Sequence, residues 1–215
     1  MKIITIKLLI ISLVMLAAGS AFATSSPYED YNVTIDTSSL NGTNGYLYLQ
    51  YNPSSAVNST ARVYGFSTDG TLGAQSVNVV NGSAVTGTLP GNVVFANTNN
   101  ANGINDYNHA ELFGNSINFN LLFASNSFGL PVGGSSTFSL GLYQDEFGAS
   151  PLLGGTLFTV DLLNNGTTSY QVFSNANVST VPEPGTIVLL GAGLLGLCIY
   201  NKRRMSITAL EQYNS

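Results

Sequence analysis

Apolar and polar residues alternate in short runs through the middle of the chain. Apolar side chains occupy every second position of residues 117–123, and asparagine fills two of the positions between them. A period of two is that of a β-strand that buries one face. The same alternation recurs at 138–143 and, more briefly, at 33–35. These runs predict strands whose core-facing side chains can be named in advance.

Further strands are predicted where β-branched and aromatic residues cluster between turn signals. They cover Gly45–Tyr51, Ala61–Phe66, Ser76–Val80, Ser83–Leu89, Asn92–Ala96, Thr156–Leu162 and Tyr170–Phe173. The clearest hairpin crosses Asn81-Gly82, a dipeptide that tight turns favour. Between Thr24 and Val181 the sequence has no sustained helical stripe of apolar residues. The pattern predicts an all-β fold, an antiparallel β-sandwich of jelly-roll or immunoglobulin-like type.

The stretch Asn97–Asn108 interrupts the strand pattern. It is rich in asparagine and leads into the polar group Asp106, Tyr107, Asn108 and His109. A loop of this length is too long for a hairpin turn, and such loops are either binding sites or disordered segments. The sequence predicts a loop here and leaves both alternatives open.

Charge is sparse and unevenly distributed. The chain carries 6 Lys and Arg against 11 Asp and Glu, and Arg62 is the one basic residue between Thr24 and Val181. Because so acidic a segment repels phosphate, nucleic acid and anionic lipid surfaces are excluded as its partners. The single cysteine, Cys198, lies in a C-terminal apolar run, so this segment forms no internal disulfide.

The N-terminus has the features of a secretory signal peptide. Lys2 and Lys7 precede an apolar run, and Ala21-Phe22-Ala23 places small residues at a cleavage site. We therefore expect residues 1–23 to be removed, with Ala21 and Ala23 directing the cleavage. An uncleaved N-terminal anchor is the alternative, although the apolar run is short for a membrane span.

The C-terminus combines three ordered elements. Pro182-Glu183-Pro184 is followed by the apolar run Thr186–Tyr200 and then by Lys202-Arg203-Arg204. This predicts a short transmembrane helix with a basic membrane stop on its cytoplasmic side. The run is shorter than the roughly 20 residues of a full span. It suits a temporary anchor, and a permanent anchor stays open.

Part of this run, Gly191–Gly196, matches the dinucleotide-binding pattern G-x-G-x-x-G. A dinucleotide site needs those glycines at a strand-to-helix turn inside a βαβ unit. Here they lie within an unbroken apolar run, where small residues are typical of a membrane helix. We expect no cofactor.

Residues suited to catalysis are scarce. His109 is the only histidine, so neither a two-histidine metal site nor a Ser-His pair is available. Asp145 and Glu146 are adjacent, but neighbours on a strand point to opposite faces and cannot flank one bond. We expect no enzyme activity and no catalytic site. The least favoured alternative is a polysaccharide hydrolase that uses carboxylates alone, namely Asp106, Asp145 and Glu146.

Two binding hypotheses stay open. Oxygen ligands around Asn105–Asn108 and around Asp145-Glu146 suit calcium, but no spacing matches a calcium loop, and solvated turns are the simpler interpretation. A carbohydrate-binding module would use aromatic side chains that stack on sugars, although each is more often a packing residue. The candidates are Tyr46, Tyr48, Tyr64 and Tyr107.

The three C-terminal elements together resemble the PEP-CTERM sorting signal of Gram-negative bacteria. The resemblance implies that Pro182, Glu183 and Pro184 are recognised by an exosortase, a membrane protease or transpeptidase that removes the anchor in organisms that make exopolysaccharide. Residues 205–215 continue past the point where such proteins usually stop. The segment before the motif also resembles a subgroup of PEP-CTERM proteins whose activity is unassigned.

These expectations combine into a domain plan and a function. The plan is a signal peptide at 1–23, a β-sandwich body at 24–173, a polar spacer at 174–181, the sorting signal at 182–204 and a cytoplasmic tail at 205–215. We expect an exported, non-enzymatic surface or extracellular matrix protein that an exosortase sorts and processes and that associates with exopolysaccharide. It is held transiently at the inner membrane before it reaches the cell surface or matrix. A carbohydrate-binding module is the alternative.

Overall fold

The computed structural model of the chain describes residues 28–53, 59–76, 84–97, 105–125, 135–163, 167–181 and 190–197. Contacts divide the chain into two units, of which one, here called the body, is Ser25–Val181 and the other joins Met1–Thr24 to Pro182–Ser215. The described part of the body contains a 3₁₀ turn at Ser38–Leu40 and twelve strands. The strands are β1 Tyr28–Asp36, β2 Asn44–Pro53, β3 Ser59–Thr68, β4 Thr71–Gln75, β5 Val85–Gly87, β6 Val93–Asn97, β7 Asn105–Leu112, β8 Ser116–Ser125, β9 Ser136–Tyr143, β10 Pro151–Leu162, β11 Thr168–Val172 and β12 Ala176–Thr180.

The strands form two six-stranded sheets. Sheet 1 has the order β12-β1-β8-β3-β6-β5, and sheet 2 has the order β11-β10-β9-β2-β7-β4. Every pairing is antiparallel. Strands that are distant in the sequence are neighbours in both sheets, as β1 is with β8 and β2 with β7. The predicted antiparallel β-sandwich is confirmed.

The core lies between the two sheets and is built from alternating side chains. Ile117, Phe119, Leu121 and Phe123 of β8 are all at most 3% exposed. Rings from opposite sheets meet here, since Phe138 of β9 lies 6.4 Å from Phe123. Burying each such ring stabilises the fold by roughly 1.5–3 kcal/mol. The core face predicted from the period-two pattern is therefore the face that packs.

Most of the predicted strands are present, and each is longer than predicted or shifted along the chain. Strands β2, β3, β6, β10 and β11 contain or overlap the predicted runs, because their β-branched and aromatic residues pair on both sides or pack on the core. The predicted hairpin around Asn81-Gly82 lies outside the described residues. Of the predicted strand Ser76–Val80, only Ser76 is among the described residues, and it follows directly on β4. Of the predicted strand Ser83–Leu89, β5 covers Val85–Gly87.

The loop predicted at Asn97–Asn108 is wrong over its second part. Residues 105–112 form β7, which pairs with β2 on one side and β4 on the other. Polar side chains concealed this strand, because Asn105, Asp106 and Asn108 remove the apolar alternation on which the prediction depended. The strand forms because its backbone is hydrogen-bonded on both edges.

The polar spacer predicted at 174–181 is also wrong in part. Ala176–Thr180 forms β12 at the edge of sheet 1, paired with β1 over five residues. Small polar residues suit an edge strand that meets solvent on one face, and the single large apolar residue, Val178, is 4% exposed and packs inward. The body therefore extends to the end of β12.

Candidate functional site

The predicted recognition residues follow directly on the last strand of the body. Val181, immediately after β12, donates its backbone N–H to the carbonyl oxygen of Asp30 at 2.8 Å. The hydrogen-bonded sheet thus reaches the residue before Pro182. Pro182, Glu183 and Pro184 themselves lie outside the described residues, as do Lys202, Arg203 and Arg204 and the predicted cleavage residues Ala21 and Ala23.

A short helix at 190–197 occupies part of the C-terminal apolar run. Its leucines are exposed, with Leu190 at 65% and Leu195 at 66%. The glycines of the G-x-G-x-x-G pattern, Gly191, Gly193 and Gly196, lie within this helix. Across the described ranges, no helix has both the length and the apolar character needed to cross a membrane.

The four tyrosines proposed for sugar stacking do not share a surface. Tyr46 and Tyr48 lie on the outer face of sheet 2, since they alternate with the buried Leu47 and Leu49. Tyr107 is 0% exposed in the core. Tyr64 lies on β3 in sheet 1, where its hydroxyl donates to Asp30 at 2.6 Å.

A tyrosine that the sequence analysis did not single out completes the outer face of sheet 2. Tyr143 of β9 stands opposite Tyr46 in the register, and its ring centroid lies 5.5 Å from that of Tyr48 in an edge-to-face arrangement. The alternation of Phe138, Leu140 and Leu142 placed Tyr143 on the outer face. Cross-strand pairing, which brings it to Tyr46, is not visible in one strand alone.

The loop 144–150 folds onto this outer face. The Asp145 carboxylate accepts backbone N–H groups from Phe147 at 3.0 Å, Ala149 at 3.1 Å and Ser150 at 2.6 Å. These hydrogen bonds, led by that from Ala149, lower the pKa of Asp145. A carboxylate held by three amides closes the loop, so Asp145 has a structural role here.

The same loop joins the two groups of oxygen ligands that the sequence analysis treated separately. The Asn108 side-chain amide donates to the backbone oxygen of Glu146, and the Ser76 hydroxyl donates to the Glu146 carboxylate at 2.9 Å. Within the described ranges, however, no three His, Cys, Asp or Glu side chains gather closely enough to hold a metal ion. The hydrogen bond from the Asn108 side-chain amide to the Glu146 backbone oxygen accounts for the approach of the two groups.

Asp106 is buried beside Tyr48 rather than exposed on a loop. Its side chain is 6% exposed, and one carboxylate oxygen accepts the Tyr48 hydroxyl at 2.8 Å. Burial raises the pKa of Asp106, because the charged form is poorly solvated there. Burial and the Asp106 hydrogen bond also raise the pKa of Tyr48 to about 12. Asp106 therefore favours its neutral form more than an exposed aspartate does.

The core side of β7 carries a row of buried polar side chains. The Tyr107 hydroxyl accepts the Leu89 N–H at 2.9 Å and lies 2.9 Å from Nδ1 of His109. His109 is 3% exposed, and burial lowers its pKa. Glu111 is 2% exposed, accepts the Thr68 hydroxyl at 2.5 Å, and has its pKa raised by burial. Each of these groups has a hydrogen-bond partner inside the sandwich and is shielded from solvent.

The three carboxylates proposed for the hydrolase alternative lie in different environments. Asp106 is buried against Tyr48, Asp145 is tied to loop amides, and Glu146 bonds Ser76. A glycosidase needs two carboxyl groups that flank one bond and reach the substrate. The hydrogen-bond partners of these three residues hold them in packing and loop-closing positions.

Comparison with known proteins identifies one segment of the chain. A family profile described as the PEP-CTERM protein-sorting motif matches residues 180–204. No curated protein and no solved structure matches the chain. The matched segment begins at Thr180, the last residue of β12, and covers Pro182-Glu183-Pro184, the helix at 190–197 and the basic cluster. The predicted resemblance is confirmed: residues 180–204 of this chain are a PEP-CTERM protein-sorting motif.

Proposed function

We propose that the protein is an exported, non-enzymatic component of the cell surface or extracellular matrix, sorted and processed at its C-terminus by an exosortase. The observation that carries the proposal is the PEP-CTERM motif at 180–204. The motif starts where the last strand of the sandwich ends. This arrangement suits a cargo domain that is delivered whole.

The inner membrane holds the protein transiently through the C-terminal apolar run, and Lys202, Arg203 and Arg204 act as the membrane stop. The signal peptide at 1–23 directs export, and processing releases the body to the surface or matrix of a Gram-negative bacterium. Exosortase is the partner at this stage. Pro182, Glu183 and Pro184 are the residues that it recognises.

A non-enzymatic role is supported by the way the titratable side chains of the body are used. Asp106, His109 and Glu111 are at most 6% exposed, and each has a hydrogen-bond partner inside the sandwich. General acid–base catalysis requires a group within reach of the substrate. These residues are instead enclosed where β7 packs between its neighbours.

Exopolysaccharide is the proposed partner of the released body. With Arg62 as its one Lys or Arg, the body offers little positive charge for binding an acidic macromolecule. It offers many hydroxyl and amide groups. Such groups hydrogen-bond to neutral sugars without a large desolvation cost. This chemistry favours association with a hydrated polysaccharide over binding of nucleic acid or anionic lipid.

Processing is tested with two variants that each remove one glutamate near the C-terminus. Glu183→Ala changes the recognition tripeptide, whereas Glu211→Ala changes a residue beyond the motif and is the matched control. In a host that expresses the exosortase, we expect Glu183→Ala to stay full length and Glu211→Ala to be shortened as the wild type is. Immunoblotting and intact mass measurement give the result. Equal processing of both variants would refute the assigned recognition residues.

The second candidate function is carbohydrate binding at the outer face of sheet 2. Tyr46 and Tyr143 are directly opposite in the register of β2 and β9, and both are partly exposed. Adjacent rings on a sheet face can stack on a sugar chain. Tyr48 is less suited, because Gly148 packs against its ring and its hydroxyl is bound to Asp106.

Affinity electrophoresis in gels that contain the host exopolysaccharide tests this candidate. The double variant Tyr46→Ala with Tyr143→Ala should lower the apparent affinity by roughly 5- to 150-fold, since stacking contributes about 0.5–1.5 kcal/mol for each of the two rings. Tyr170→Ala is the control, because Tyr170 is 49% exposed on β11 and away from the pair. Unchanged retardation of the double variant would exclude this face as the binding site.

A further inference from the structure

Strand β12 is held in the sheet along its whole length. It pairs with β1 from Ala176 opposite Ile35 to Thr180 opposite Tyr31. The hydrogen bonding continues past both ends, since Asp36 donates its N–H to the Asn175 oxygen and Val181 donates to the Asp30 oxygen, both at 2.8 Å.

Val178 is the main anchor of β12 in the core, and the smaller, partly buried Ala176 packs beside it. Val178 stands opposite Val33, and the two are 4% and 1% exposed. The flanking Asn177 and Ser179 are exposed. Releasing β12 from the sheet therefore costs its pairing with β1 and the burial of Val178 together.

A protease needs the residues on both sides of the bond that it cuts as an accessible, extended chain. Residues paired within a sheet become available only when the strand opens, and cleavage is then slowed by the small population of the open form. The chain up to Val181 is paired in this way, and the sorting motif begins at Thr180. The fold thus restricts which bonds of the motif region are accessible from the body side.

We infer that β12 sets the upstream limit of C-terminal processing, so that the exosortase cuts after Val181 and the released body keeps the complete strand. The inference rests on the proposed function for the identity of the enzyme. It adds a positioning role for Val178, which acts through β12 and not through contact with the enzyme.

The test uses two aspartate substitutions at neighbouring positions of the full chain. Val178→Asp places a charge at the buried anchor, whereas Ser179→Asp places the same charge on the exposed face and is the matched control. Val178→Ala is a milder second variant that keeps the strand uncharged. Circular dichroism and thermal melting show whether each variant retains the folded body.

The first measurement is digestion of the purified full chain in detergent by proteinase K, with fragment ends mapped by mass spectrometry. In the wild type and Ser179→Asp, we expect the body fragment to end at or after Val181. In Val178→Asp, cuts within 176–181 should be faster by about tenfold or more, since a buried charge opens the strand, and Val178→Ala should be intermediate. Wild-type cleavage within 176–181 at the rate of Val178→Asp would overturn the inference.

The second measurement is the C-terminus of the wild-type chain recovered from an exosortase-expressing host. A C-terminus at Val181 or beyond it, but before Ser215, supports the inference. A C-terminus within 176–180 would overturn it and leave the proposed processing intact. An uncut chain that ends at Ser215 would refute the proposed function. The proteinase K digestion would then still show, independently of the exosortase, whether β12 protects residues 176–181 from cleavage.

Discussion

Replacing Phe138 with alanine tests the packing of the two sheets against each other. Phe138 of β9 is 0% exposed, and its ring centroid lies 5.8 Å from Phe95 and 6.4 Å from Phe123 in sheet 1. It also lies 6.2 Å from Phe158 in its own sheet. Because the side chain meets three rings, its removal leaves a cavity that neighbouring residues of two sheets would have to fill.

The loss in free energy of unfolding depends on the burial of Phe138 and on its ring contacts. Phe→Ala in a core lowers the free energy of unfolding by about 3–5 kcal/mol, and each edge-to-face pair contributes about 0.5–1.5 kcal/mol beyond its buried area. The contacts of Phe138 place it in the upper part of that range. For a domain of this size, about 4–5 kcal/mol corresponds to a fall in Tm of roughly 8–20 °C.

Urea unfolding followed by circular dichroism gives the free energies directly. Phe173→Ala is the control, because it removes the same atoms from a side chain that is 54% exposed and should change stability by no more than about 0.5 kcal/mol. A loss below about 1.5 kcal/mol for Phe138→Ala, or equal losses for the two variants, would refute the assignment of Phe138 to the centre of the sandwich.

Two further predictions concern buried charge and backbone geometry. Burial raises the pKa of Glu111, so the unfolded chain releases the Glu111 proton at a lower pH than the folded protein does. The free energy of unfolding therefore falls between about pH 4.3 and the pKa in the folded protein. Glu111→Gln should therefore reduce this decline in urea midpoints measured from pH 4 to pH 8, and an unchanged slope would contradict the burial of the carboxyl. Gly87 has φ +90°, and a Cβ there would lie 1.9 Å from the Asn92 oxygen, whereas Gly42 has φ +78° with open space around it. Gly87→Ala should accordingly destabilise the body by more than about 1 kcal/mol and by more than Gly42→Ala does, and equal effects in thermal melts would argue against the close contact.

The fold could be predicted from the sequence wherever side chains alternate by polarity. Strands β8 and β9 show this pattern clearly. Their core faces, which include Phe119 and Phe138, were predicted correctly. The order of strands could not be predicted, because it depends on pairings such as β1 with β8 that join distant segments of the chain. Cross-strand contacts such as Tyr46 with Tyr143 have no signal in either strand alone.

Strands β7 and β12 were missed for opposite reasons. In β7, polar residues are buried on both faces of a strand paired on both edges, so Asp106 and His109 read as a solvated loop although they are almost fully enclosed. In β12, small polar residues are exposed on an edge strand and resemble a linker, and Val178 is its one fully buried side chain. Side-chain polarity usually predicts exposure to solvent. The prediction fails where hydrogen bonds inside the sandwich replace those to water.

The sorting motif was the part of the candidate site most accessible to sequence reasoning. Its information lies in the linear order of Pro182-Glu183-Pro184, an apolar run and a basic cluster, which needs no tertiary contact to be recognised. The structure adds that the body ends at Val181, directly before Pro182. This junction could not be anticipated once 174–181 had been interpreted as a spacer.

The central claim is that the C-terminus of this protein is a processing signal. The most direct test is the intact mass of the wild-type protein from two otherwise identical hosts, one with and one without its exosortase. The account predicts that the protein from the first host lacks the segment after the motif residues Pro182-Glu183-Pro184, whereas the protein from the second host extends to Ser215. Identical masses that extend to Ser215 in both hosts would contradict it.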